Sequence, residues 1–227
     1  MKLLIFDIDG TLTDTNAIDD KLYRAAVRAV LPVAVDEPLP AFADSTDSAI
    51  LDQLHDVYPT DDFDQTEAEI QRLFFAALIE AFEEDLTHCL PIPGATSVFE
   101  AARAGGWSVA IATGGWRESA RTKLSFAGIP VDGTPLASAS DFRWRPDIIR
   151  HAMRLTVGDA EPTEVVYVGD APWDVRACIE LGIGFIGRSA PAGESRLREL
   201  GATAVLPDFE DASALLRLLE EPATLVP

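Results

Sequence analysis

The chain has 227 residues, 48% apolar and 25% charged, which suits a soluble globular protein of one large domain, or one domain with a small insertion. Its formal net charge of −20 repels nucleic acid and anionic membranes, so neither is expected as a partner. Solubility alone accounts for that acidity, but it also repels a phosphorylated ligand at long range, so a site for one must supply its own local positive charge.

The first element is the apolar run Leu3-Leu4-Ile5-Phe6, which reads as a strand buried on both faces, as in a parallel sheet. Asp7 and Asp9 follow it directly, ahead of Gly10-Thr11, in the sequence FDIDGT. Asp7 then falls at the carboxyl end of a strand, where open α/β sheets hold their ligands. Residues i and i+2 of an extended segment point the same way, so two carboxylates converge on one small volume. Like charges that close repel unless a cation or a proton lies between them. The pattern reads as a divalent metal site with one carboxylate free to act as nucleophile. The residues before Asp7 begin like a signal peptide, but the aspartates end it before an apolar region develops. No apolar stretch is long enough to span a bilayer, so a cytoplasmic location is expected.

Residues 14–90 show no convincing strand, far longer than an ordinary strand-to-helix connection. Helical patterns are expected over 18–31, 45–57 and 66–85. The first places Leu22, Ala25, Ala26, Ala29 and Val30 on one side, and the third contains the apolar run 73–79, read as core. Pro32, Pro38, Pro40 and Pro59 punctuate the connections, and Pro91-Ile92-Pro93-Gly94 reads as a turn back. A helical insertion just after the candidate nucleophile would sit over the site as a cap. The expected division is therefore a core of residues 1–13 and 91–227, with a cap of 14–90.

Beyond the insertion, strands are expected over 108–112, 165–168, 183–186 and 204–206, and helices over 95–104, 118–127, 147–155 and 175–181. Strands alternating with helices of this length imply βαβ units and a parallel sheet. Thr113-Gly114-Gly115 ends one strand and offers a hydroxyl with closely approachable backbone N–H groups, which suits a phosphoryl oxygen. Trp116 and Arg117, just after it, are placed to contact a substrate; Lys21, Arg24, Arg28 and His55 of the insertion are further candidates. Arg143-Trp144-Arg145-Pro146, entering a helix, offers the missing positive charge. Gly169-Asp170-Ala171-Pro172-Trp173-Asp174 ends another strand; Asp170 can reach the crevice of Asp7, and Asp174 lies one turn into the next helix.

Gly182 to Gly187 spells GxGxxG, but these glycines do not open a helix after a strand, so they read as a helix stop and a strand rather than a dinucleotide loop. Cys89 and Cys178 make no disulfide framework, and His55, His88 and His151 lack metal-site spacing.

Together FDIDGT, the strand-end Thr113, a basic residue before a helix and GDAPWD resemble the four motifs of the haloacid dehalogenase (HAD) superfamily, across about residues 1–190. The insertion is similar to the small helical cap of the phosphoglycolate phosphatase and β-phosphoglucomutase branch. The resemblance implies an α/β fold, with a Rossmann-like parallel core and a helical cap. It also implies a Mg²⁺-dependent phosphatase acting on a small phosphorylated metabolite through an aspartyl-phosphate. In it Asp7 is the nucleophile, Asp9 the general acid/base, and Thr113 the motif-two hydroxyl, with Gly114 and Gly115 beside the substrate. Asp7, Asp170, the supporting Asp174 and the backbone carbonyl of Asp9 hold the metal. The family usually has Lys in motif three. Here Arg143 and Arg145 compete for it, and Arg145 is preferred because Ile148, Ile149, Ala152 and Met153 then match the apolar positions that follow. A phosphomutase and a non-catalytic phosphate-binding module are the alternatives. A metal-free dehalogenase is disfavoured, since that branch lacks the second acid of motif one. The oligomeric state is left open.

Overall fold

The computed structural model describes residues 1–33, 45–190 and 193–220; Pro38 and Pro40 lie outside them. Six parallel strands form one sheet in the order β3-β2-β1-β4-β5-β6. They are β1 Lys2–Phe6, β2 Trp107–Ala112, β3 Leu136–Ala137, β4 Glu164–Gly169, β5 Gly184–Arg188 and β6 Ala204–Leu206. The chain builds outward from β1 on one side through β2 and β3, then returns and builds outward through β4, β5 and β6. That reversal opens a crevice at the carboxyl ends beside β1. The register aligns Phe6 with Ile111 of β2 and Val168 of β4. Asp7, Thr113 and Asp170 therefore leave the sheet along one edge.

The β1 run is continuously apolar because both of its faces are covered: Leu3, Leu4, Ile5 and Phe6 are fully buried. The Phe6 ring packs against Phe99 at 5.3 Å and Phe209 at 5.9 Å between centroids. Helices α4 Ala95–Ala104, α5 Arg117–Phe126, α6 Arg145–Val157 and α7 Pro172–Leu181 follow the expected alternation, with bounds within two residues except at the start of α7, which begins three residues earlier than expected. The Gly182–Gly187 stretch ends α7 and runs into β5, as a helix stop and a strand. Sequence patterning did not identify β3, α8 Glu194–Glu199 or α9 Ala212–Glu220. The strand is too short to show alternation. In α9, Leu215 and Leu219 do form a buried i,i+4 pair.

Residues between β1 and α4 form α1 Asn16–Val30, α2 Asp47–Val57 and α3 Phe63–Glu84, then a 3₁₀ turn. Thr46 caps α2 by accepting from the Ala49 N–H at 3.1 Å, and Asp62 caps α3 by accepting from Gln65 at 3.0 Å; such caps stabilise by about 1 kcal/mol each. In α3 the buried stripe is Ile70, Phe74, Leu78 and Phe82, at a spacing of four, while Ile79 is exposed. The buried face of α1 is Ile18, Tyr23, Ala26 and Val27. This corrects the face expected from the apolar pattern, since Ala25 and Ala29 are exposed. The rotation follows from Tyr23, whose ring packs at 5.9 Å from Phe74 and 5.6 Å from Trp116. The segments entering and leaving the insertion run side by side: Asp14 N–H donates to Leu90 at 2.9 Å, and Ile92 N–H to Leu12 at 2.9 Å.

Candidate functional site

The crevice beyond β1 opens into a cleft of about 500 Å³. Its core wall is formed by Asp7, Asp9, Thr113, Gly114, Gly115, Arg145 and Asp170, and its opposite wall by Asp19, Asp20, Tyr23, Ser45, Asp47 and Ile50. Asp7 N–H donates to Val168 at 2.9 Å, which pins the first carboxylate to the sheet. The chain then turns sharply: Thr11 and Leu12 N–H groups donate back to Ile8 at 3.1 and 2.8 Å. Gly10 makes that turn at a φ of +72°, and a Cβ there would lie 2.0 Å from Asp170 Oδ2. Only glycine fits.

Arg145, at the first position of α6, aims its guanidinium inward. Its Nη1 lies 3.0 Å from Asp174 Oδ1 and 3.7 Å from Asp7 Oδ1. Tyr167 stands beside it, accepting from Nη1 at 3.4 Å and donating to the Ala112 carbonyl at 2.9 Å. A Cβ on Gly114 would come within 2.4 Å of Arg145 Nη2, so glycine there makes room for the guanidinium. Thr113 Oγ1 accepts from the Gly115 N–H at 3.2 Å, leaving its own proton free to donate. Asp170 accepts from Asn16 at 2.9 Å. Asp174 is fully buried; its Oδ2 accepts from Ala171 N–H at 3.0 Å while its Oδ1 faces Arg145.

Asp7, Asp170 and Asp174 present carboxylate oxygens that all lie within 4.8 Å of one another. Asp7 Oδ1 is buried without a hydrogen-bond donor. Burial, reinforced by Asp174 and partly opposed by Arg145, pushes the Asp7 carboxyl up to about 7. Burial, with Asp7 second, raises Asp170 to about 7, and burial outweighs Arg145 to raise Asp174 to about 6. A cluster of hard oxygens that resists ionising together, with one oxygen lacking a donor, fits a small divalent cation.

These shifts predict a pH dependence for metal-free protein. Asp7 ionises near 3.8 in the unfolded chain but near 7 in the fold, so the folded state binds more protons across that window. The Asp7 contribution therefore turns against folding as pH rises from about 4 to about 7, and the full penalty stands above 7. In EDTA, Asp7→Asn is expected to melt like wild type near pH 4 and to be more stable by about 2–4 kcal/mol above pH 7. Thermal melts across that range check it; a difference independent of pH would refute the shift.

Arg143 is not brought into the cleft. Its guanidinium holds Asp52 of α2 at 2.6 Å and Glu67 of α3 at 3.0 Å, so it fastens the insertion to the core instead of facing a substrate. Trp116 and Arg117 are also placed elsewhere than expected. Trp116 is buried, its backbone N–H on Asp47 Oδ2 at 2.9 Å and its indole N–H on Ser48 at 2.8 Å, and Arg117 pairs with Asp141. Lys21, Arg24, Arg28 and His55 do not line the cleft.

Sequence reasoning missed Lys123, Asp19 and Asp47. Lys123 of α5 is fully buried and pairs with Asp9 and Asp19. A signal was present: it interrupts the otherwise apolar stripe of Ala120, Leu124 and Ala127. Among the described residues, no helix is long and apolar enough to cross a membrane.

A family described as haloacid dehalogenase-like hydrolase matches residues 1–182. No curated protein matches the chain. Among solved structures, a hydrolase from Pseudomonas syringae is similar at a TM-score of 0.72 and 22% identity, covering 99% of this chain and 100% of that one. CbbY from Rhodobacter sphaeroides, in complex with xylulose-(1,5)bisphosphate, is similar at a TM-score of 0.69 and 20% identity, covering 92% and 95%. A protein described as a predicted phosphoglycolate phosphatase from Haemophilus somnus is similar at 0.65 and 18%, covering 96% and 98%. At these identities the likenesses establish the fold.

Proposed function

Because the chain belongs to the haloacid dehalogenase-like hydrolase family, we propose that its cleft hydrolyses a small phosphomonoester through a covalent phosphoryl group on Asp7. The observation that supports this most is the buried Asp7 oxygen without a donor, at a strand end, between Arg145 and Asp170. Residues 14–90 act as the cap, with the paired segments at Asp14 and Leu90 as its hinge.

Asp7 and Asp170 would hold Mg²⁺, with the backbone carbonyl of Asp9 as a further ligand, and Asp174 supports them through Arg145. When bound, the ion screens the charge between Asp7 and an incoming phosphate. An Asp7 oxygen forms a bond to phosphorus while the ester oxygen leaves, and Asp9 gives that oxygen a proton. Asp9, now a carboxylate, takes a proton from water as the water attacks phosphorus. Inorganic phosphate departs and Asp7 is regenerated. The Thr113 hydroxyl and the Arg145 guanidinium bind the equatorial oxygens.

The opposite wall favours hydrolysis over a mutase. A phosphoryl shift through a phosphoenzyme requires a doubly phosphorylated intermediate, hence a second phosphate subsite. Among the described residues, the cations lining the cleft are Arg145 and the exposed Arg196, and the insertion side contributes Asp19, Asp20 and Asp47. That wall suits a leaving group without a second anion.

Phosphate release from a panel of phosphomonoesters, with Mg²⁺ and with EDTA, tests the reading. Mg²⁺-dependent release, greater for neutral polyol phosphates than for bisphosphates, is expected; no release from any ester would refute it. Asp170→Ala is expected to raise the Mg²⁺ needed for half-maximal turnover by about 10- to 100-fold, since one charged ligand is lost. The same variant should lose most of the rise in melting temperature that Mg²⁺ gives wild type. An unchanged Mg²⁺ requirement would move the metal elsewhere.

A further inference from the structure

Lys123 combines complete burial with three charge contacts beside the reacting groups. Its Nζ lies 2.7 Å from Asp9 Oδ1 and 2.8 Å from Asp9 Oδ2, and it also pairs with Asp19 Oδ1. Asp9 belongs to the loop after β1, Lys123 to core helix α5, and Asp19 to α1 of the insertion. Asp47, at the first turn of α2, adds to the field around the ammonium. The Thr15 hydroxyl donates to Asp9 Oδ1 at 2.5 Å, so both oxygens of Asp9 are held. Thr15 is braced in turn by Thr13, 2.7 Å away between hydroxyl oxygens.

Burying an ammonium is costly unless it is paired. The neighbouring stripe of α5 is apolar, so a methionine would satisfy packing as well. Lys123 is not among the residues lining the cleft, and its ammonium is engaged by two carboxylates, so it is poorly placed to bind a phosphoryl oxygen. What its contacts do accomplish is to orient Asp9 and to join that orientation to α1.

We propose that Lys123 is a positioning residue, which aligns the Asp9 carboxylate with the leaving oxygen and, through Asp19, makes that alignment depend on the seating of the insertion. This rests on the phosphomonoester reading above. Asp9 acts most heavily on leaving groups that need a proton. A misaligned Asp9 therefore harms alkyl esters selectively, whereas a purely structural role for Lys123 would harm all esters alike.

The test measures kcat and KM for glycerol phosphate and for p-nitrophenyl phosphate in wild type, Lys123→Met and Asp19→Asn, with Mg²⁺ present. Lys123→Met is expected to lower kcat for glycerol phosphate by about 100-fold and for p-nitrophenyl phosphate by less than about 10-fold, with KM within about twofold for both. Asp19→Asn, at the partly exposed end of the pair, should show the same split at about 10-fold and about twofold. Equal losses on the two esters, or a change confined to KM, would overturn the proposal. So would an unfolded Lys123→Met together with an Asp19→Asn of wild-type ester ratio. Wild type inert toward these two esters and toward every other ester of the panel would refute the phosphomonoester reading itself, and this proposal with it.

Discussion

Asp7→Asn is expected to lower turnover of every phosphomonoester by about four orders of magnitude or more, because an amide is not a competent nucleophile. The fold should be retained. Asp7 follows the fully buried run Leu3-Leu4-Ile5-Phe6, its backbone N–H bonded to Val168, and the substitution replaces one carboxylate oxygen with an amide NH2 of nearly the same shape. It also removes one charge from a crowd that includes Asp174 and Asp9, each of which raises Asp7 toward neutrality. A folded, inactive and more stable variant at pH 8 is the combined expectation. Circular dichroism, a thermal melt and a phosphate-release assay on one preparation check it. Full activity in that preparation would remove Asp7 from the mechanism.

Asp9→Ala is expected to separate the two halves of the reaction. Formation of the aspartyl-phosphate from an alkyl phosphate needs a proton on the departing oxygen, so that step should fall by about 100- to 10,000-fold. An activated aryl phosphate leaves without that proton, so its first step should suffer far less. Hydrolysis of the intermediate still requires a base for water. With p-nitrophenyl phosphate the variant should therefore release a burst of one nitrophenol per protein, followed by slow turnover. Rapid-quench kinetics measure both phases. Equal losses for the two ester classes with no burst would restrict Asp9 to shaping the cluster. Alanine also strips Lys123 of its partner at 2.7 Å, so Asp9→Asn, which leaves an oxygen for the ammonium, serves as the control for that change.

The parts of the site that could be read from the sequence are those that sit on strand ends. A short apolar run followed by a polar residue fixes both a strand and its carboxyl end, so Asp7, Thr113 and Asp170 could be placed before any fold was known. Parallel register then brings them to one edge. The cationic half was less legible. Arg143 and Arg145 are two residues apart and chemically alike, and α6 begins between their roles: Arg145, at its first position, turns inward, while Arg143 stays on the loop and reaches Asp52 and Glu67. Lys123 stands 114 positions from Asp9 along the chain. Local patterning has no means of pairing residues so far apart, although a lysine in an apolar stripe marks a buried partner. Trp116 illustrates the opposite error. Its position after the second motif suggested a ligand contact, but an indole that can bury its ring on Tyr23, Phe74 and Phe75 and donate to Ser48 is better satisfied at the seam between insertion and core.

The central claim is a covalent phosphoryl group on Asp7. The direct measurement mixes wild-type protein, Mg²⁺ and p-nitrophenyl phosphate, quenches with acid during the first turnovers, and maps the modified peptide by mass spectrometry. The account predicts a single base-labile phosphoryl group on the peptide that contains Asp7, absent when EDTA replaces Mg²⁺ and absent in Asp7→Asn. Steady release of phosphate with no phosphorylated peptide, or a phosphoryl group on any other residue, would contradict it.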